Sequence, residues 1–197
     1  MSSTWFDTIS ASYTSLDVTK GVDTQEFLAA TESLVTLFDL IHATAFAQVK
    51  ADMLGNVKKL RAQYVACPDQ SKTIEDLVKY EATKKKRTAT EGLVWLLRGL
   101  DFTAQAIRYG VTHPEKELTE CFTIAYSNTL KQYHNFLIRG VFSLAMKACP
   151  YRKDFYQKLG SDQAKVQEQL EAWLSALEAL VAHLQTFLKS NGYDQGF

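Results

Sequence analysis

The residues best suited to chemistry in this chain fall on three separate segments. In DMLGNVKKL, residues 52–60, an acceptor-only carboxylate (Asp52), a carboxamide (Asn56) and an ammonium (Lys59) recur at helical spacing. At about 100° per residue they share an arc of roughly 60°. Val49, Met53, Val57 and Leu60 border that arc on one flank and Gly55 on the other. Such a stripe is either the ordinary boundary between the wet and dry faces of a helix or a hydrogen-bonding site at the mouth of an apolar pocket. Gly55 costs about 1 kcal/mol relative to alanine inside a helix, and close approach of a ligand or of a neighbouring helix would account for it.

The second segment is TATEGLVWLLRGLDF, residues 88–102. Leu93, Leu96, Leu100, Thr103 and Ile107 form a core arc, and Trp95 lies to one side of it among Thr88, Gly92, Gly99 and Ala106. An indole plane left open by small residues stacks on the apolar face of a sugar ring; equally, the glycines admit a packed helix. In the third segment, residues 130–155, His134 shares a helical face with Leu130, Ile138, Val141 and Ala145. It is expected to point inward, as a satisfied core residue or as a partner for the amide or carbonyl of a ligand in an apolar site. Phe136 falls among Gln132, Asn135 and Arg139. An aromatic residue there suits a water–membrane interface, although single surface apolar residues are common.

Other chemistry is missing from the sequence. It contains no P-loop, GxGxxG, HExxH or GxSxG motif. Its four histidines are scattered, and Cys67, Cys121 and Cys149 form an odd set without CxxC spacing. No metal and no cofactor is implied, and binding without catalysis is the economical reading. Lys+Arg and Asp+Glu both total 22, so no global field recruits nucleic acid. No run approaches the roughly 18 apolar residues of a membrane span, and the start lacks the pattern of a signal peptide. A soluble, cytoplasmic protein is expected.

The elements that position these residues are helical. Helices are predicted at roughly 24–41, 45–65, 72–82, 88–109, 115–148 (with a break near 125) and 163–190. Asp23-Thr24, the Asp69–Thr73 stretch and Ser161-Asp162 supply start signals. Residues 1–22 read as a loosely attached arm before one all-α domain, 23–197. The basic run KKKR at 84–87 reads as a solvated connector or as a site for an anion.

Taken together, FAQVKADMLGNVKKL, GLVWLLRGLDF and YHNFLIRGVFSLAMKACPYRKDF resemble, in order and spacing, the glycolipid transfer proteins and their fungal incompatibility relatives, over roughly 24–193. The resemblance implies an all-α, two-layer helical sandwich around an apolar chamber for ceramide chains. Asp52, Asn56 and Lys59 match headgroup hydrogen-bonding residues, Trp95 the platform for the first sugar, and His134 the residue that holds the ceramide amide together with the aspartate. Tyr193 aligns with an aromatic residue near the headgroup. Phe38, Phe46, Val49, Phe102, Leu130, Phe142 and Phe155 align with chamber positions, and Phe136 with a membrane-docking position. The implied function is non-enzymatic transfer of a glycosphingolipid between membranes by a monomer in transient contact with their surfaces. A ceramide-phosphate carrier or a glycolipid sensor would use the same fold; Trp95 favours sugar over phosphate. A lipid-modifying enzyme would need an activated nucleophile or a metal, and neither can be pointed to.

Overall fold

The computed structural model describes residues 3–197, so Met1 and Ser2 of the expected arm lie outside the described residues. The chain forms helices α1 (Trp5–Thr8), α2 (Thr24–Val35), α3 (Leu37–His42), α4 (Ala47–Ala66), α5 (Ile74–Ala82), α6 (Thr88–Thr112), α7 (Leu118–Asn128), α8 (Phe136–Lys147), α9 (Arg152–Leu159) and α10 (Gln163–Ser190). They assemble as the two-layer, all-α sandwich with α6 at its centre, packed on α4, α5, α7 and α10.

Local chemistry sets most of the starts. Asp23 accepts from the Glu26 N–H, Thr73 from that of Asp76 and Asp162 from that of Lys165. The start of α6 has no cap of its own. Buried Glu81, from the end of α5, instead accepts from the backbone N–H of Ala89 (3.0 Å) and Thr90 (2.7 Å) and from the Thr90 hydroxyl (2.8 Å). The arc of Leu93, Leu96, Leu100, Thr103 and Ile107 is buried, as its period requires.

Three expectations are corrected. The N-terminal segment is not loose: Trp5 and Tyr13 are buried, and the Trp5 ring meets Trp173 of α10 edge-on at 5.7 Å. The Tyr13 hydroxyl donates to Thr31 at 3.1 Å, and Lys165 Nζ lies 2.6 Å from the Asp7 carboxylate. The helix expected over 115–148 breaks not near 125 but between Asn128 and Phe136, through a 3-10 turn at Lys131–Tyr133. The Asn135 side chain restarts it by accepting from the Ile138 N–H at 3.0 Å. Finally, Val141, assigned to the inward face, is exposed. A helix after Pro150, α9, was not anticipated.

Candidate functional site

A cavity of about 310 Å³ opens where α4, α6, the 129–135 connection and α8 meet. Asp52, Asn56 and Lys59 line it from α4, Trp95 from α6 and His134 from the connection. Val49, Met53, Leu130, Ile138 and Phe142 supply its apolar wall. The volume sits at the low end of the range for ligand pockets, and the mix of apolar lining with a few convergent polar groups is typical of them.

On α4, Asn56 is buried and its Nδ2 lies 3.4 Å from Asp52 Oδ2, a long hydrogen bond. Asp52 is solvent-exposed on one side, yet the surrounding protein desolvates its carboxyl and raises its pKa, with the Lys59 cation opposing the rise. Lys59 lies against α6 at Gly92: a Cβ there would stand 3.1 Å from Lys59 Cδ and 3.3 Å from the Asn56 carbonyl oxygen. Gly92 is therefore what lets α4 and α6 close around the polar stripe. Gly55 has open space around it, so no neighbouring helix explains it.

Trp95 is half-buried. The Arg98 guanidinium lies over its ring at 4.5 Å and over the Tyr133 ring at 3.7 Å. Tyr133 meets Trp95 edge-on at 6.0 Å, and the His134 ring runs nearly parallel to the indole with centroids 6.3 Å apart. The indole expected to be left open by small neighbours is thus braced by a cation. Arg98 also donates to the Phe197 carbonyl at 3.1 Å, and Arg87 donates to the carbonyls of Tyr193 (3.1 Å) and Gln195 (2.8 Å). Of the basic run, Lys84, Lys85 and Lys86 are exposed in the α5–α6 connector, whereas Arg87 holds the 193–197 tail.

His134 is not on a helix face. It follows the 3-10 turn in extended conformation, half-buried, with Nδ1 3.1 Å from the Tyr126 hydroxyl and its ring 4.7 Å from that of Phe142. Tyr126 was missed in the sequence because the turn that brings it to His134 was missed; Asn135 before the apolar FLI was the available signal. Among the other anticipated residues, Tyr193 does not line the cavity; its ring packs on Phe187 at 5.6 Å. Phe38, Phe46, Phe102 and Phe155 are fully buried and do not line it either. An aromatic file does lead inward from its wall: Phe142 contacts Phe102 (6.0 Å), then come Phe122 (5.6 Å), Phe46 (5.8 Å) and Phe38 (5.3 Å). Phe155 packs apart from that file, against Tyr156. Phe136 is 86% exposed, beside Leu137 at 75%.

With this geometry in view, residues 22–161 match the family described as Glycolipid transfer protein (GLTP). A glycolipid transfer protein of Aureobasidium melanogenum is 53% identical over 188 residues, spanning 95% of this chain and 94% of that protein. The crystal structure of HET-C2, a fungal glycolipid transfer protein, superposes with a TM-score of 0.93 at 46% identity, covering 98% of this chain and 100% of that one. A structure addressing how FAPP2 selects simple glycosphingolipids with the GLTP fold matches at a TM-score of 0.85 and 31% identity, over 97% of each chain.

Proposed function

This chain belongs to the glycolipid transfer protein family, and from that premise we propose that it binds a glycosphingolipid and carries it between membranes without catalysis. One observation carries the reading: Asp52, Asn56 and Lys59 of α4, Trp95 of α6 and His134 of the connection converge on one cavity together with the apolar side chains of Val49, Met53, Leu130, Ile138 and Phe142. The sugar stacks on the indole face of Trp95 that Arg98 leaves free, with its hydroxyls shared among Asp52, Asn56 and Lys59. Asp52 accepts the amide N–H, and His134 donates to the amide carbonyl. The hydrocarbon chains enter past Phe142 and displace the aromatic file behind it. Each buried methylene contributes about 0.8 kcal/mol, so the chains supply most of the affinity and the polar rim most of the choice.

Nothing in this cycle needs an energy source, since the lipid moves down its gradient while the protein shields its tails from water. Docking is transient and uses the exposed apolar residues at the start of α8. The protein works as a monomer in the cytoplasm. Vesicle-to-vesicle transfer of hexosylceramide, ceramide phosphate and phosphatidylcholine tests the reading. Hexosylceramide is expected to move fastest; faster movement of ceramide phosphate would reassign the headgroup, and no movement of any sphingolipid would sink the carrier function. Asp52→Val and Trp95→Ala are each expected to abolish hexosylceramide transfer while helical circular dichroism persists.

A further inference from the structure

The imidazole of His134 has two nitrogens, and the protein has already used one. Nδ1 faces the Tyr126 hydroxyl at 3.1 Å, whereas Nε2 has no partner among the described residues. Burial lowers the basicity of His134, the Arg139 cation adding to the effect, so the ring is neutral at pH 7. Burial also raises the pKa of Tyr126, against the opposing pull of Arg139, so the phenol keeps its proton.

A neutral imidazole carries one donor and one acceptor, and two arrangements follow. If Nδ1 held the hydrogen, the phenol oxygen would accept it, and the phenolic O–H would point elsewhere, where no acceptor stands among the described residues. If Nδ1 is bare, the phenol donates to it, both groups are satisfied, and the hydrogen sits on Nε2. We infer that Tyr126 is a positioning residue that locks His134 in the Nε2–H form, so that the site offers the ligand a donor at this point and never an acceptor. Tyr126 does not line the cavity. It is held by its stack on Phe142 (5.0 Å, 15°) and its edge contact with Phe102 (6.3 Å).

The consequence is selectivity for lipids whose linkage presents a carbonyl to Nε2–H. This step rests on the carrier reading; the tautomer itself does not. Long-range proton–nitrogen correlation spectra of the ligand-free, full-length protein, labelled at its histidines and assigned with His134→Asn, read the tautomer directly. A protonated Nε2 with a bare Nδ1 is expected. A protonated Nδ1 in the unmodified protein would overturn the inference, as would an unchanged His134 pattern in Tyr126→Phe. That variant keeps the ring and its stacking and removes only the oxygen. Its transfer of hexosylceramide is expected to fall about five- to tenfold, the loss of one hydrogen bond's discrimination. Its transfer of a hexosyl dialkylglycerol, an ether lipid without a carbonyl, is expected to match that of the unmodified protein. Equal slowing of both lipids would overturn the positioning role in favour of a structural one. An Nε2–H tautomer in a protein that moves neither lipid would instead overturn the carrier reading.

Discussion

At Asp52 the requirements of binding and of folding pull in opposite directions. Its carboxyl pKa is raised by desolvation above the ordinary 3.8. Between that value and the raised one, the folded state binds more protons than the unfolded state, so stability is lost as pH rises through the window. Asp52→Asn removes the charge at constant volume. The variant is therefore expected to melt higher than the unmodified protein at pH 7, with the gap closing toward pH 4, by calorimetry at both values. A variant less stable at pH 7 would show that Lys59 more than compensates the partial desolvation of the charge. The stripe of which Asp52 is part was legible in the sequence because one helix carries all three residues, and a 3.6-residue period needs no tertiary information. The register of Trp95 against the core of α6 was readable for the same reason. The brace of Arg98 on Trp95 was not, since half of it comes from Tyr133, beyond a break that residues 129–135 announce with neither glycine nor proline.

Among the elements, α6 depends on a partner for its own beginning. With Arg87 at the capping position and no side-chain cap there, Glu81 of α5 satisfies two of its first backbone N–H groups. Glu81→Ala leaves both buried and unpaired, at a cost of about 2–4 kcal/mol by denaturant unfolding; an effect within 0.5 kcal/mol would mean that water replaces the carboxylate. Caps built into their own helix, Asp23, Thr73 and Asp162, fall within the start signals legible in the sequence, and α10 begins and ends where its period does. Caps supplied from elsewhere could not. The burial of Trp5 against Trp173 escaped for a related reason: the two residues lie near opposite ends of the sequence, and no local period links them.

For the molecule as a whole, equal numbers of acidic and basic side chains conceal a local imbalance. Helix α8 has no acidic residue, carries Arg139 and Lys147, and exposes Phe136, Leu137 and Leu144 to water. A face that is apolar and basic at once suits a lipid surface. Phe136→Ser combined with Leu137→Ser is expected to cut transfer between anionic vesicles about tenfold or more through lost apolar burial. Equilibrium binding of a short-chain, water-soluble hexosylceramide is expected to stay unchanged; a matching loss there would move these residues from docking into the binding site. No helix among the described residues is long and apolar enough to cross a membrane. The placement of the three tryptophans has an optical consequence. Trp5 and Trp173 are interior and touch each other, and Trp95 alone stands half in solvent at the cavity. Iodide quenching of the intrinsic emission therefore reads essentially one indole, and its disappearance on mixing with lipid would give the occupancy of the cavity in real time, with no label attached.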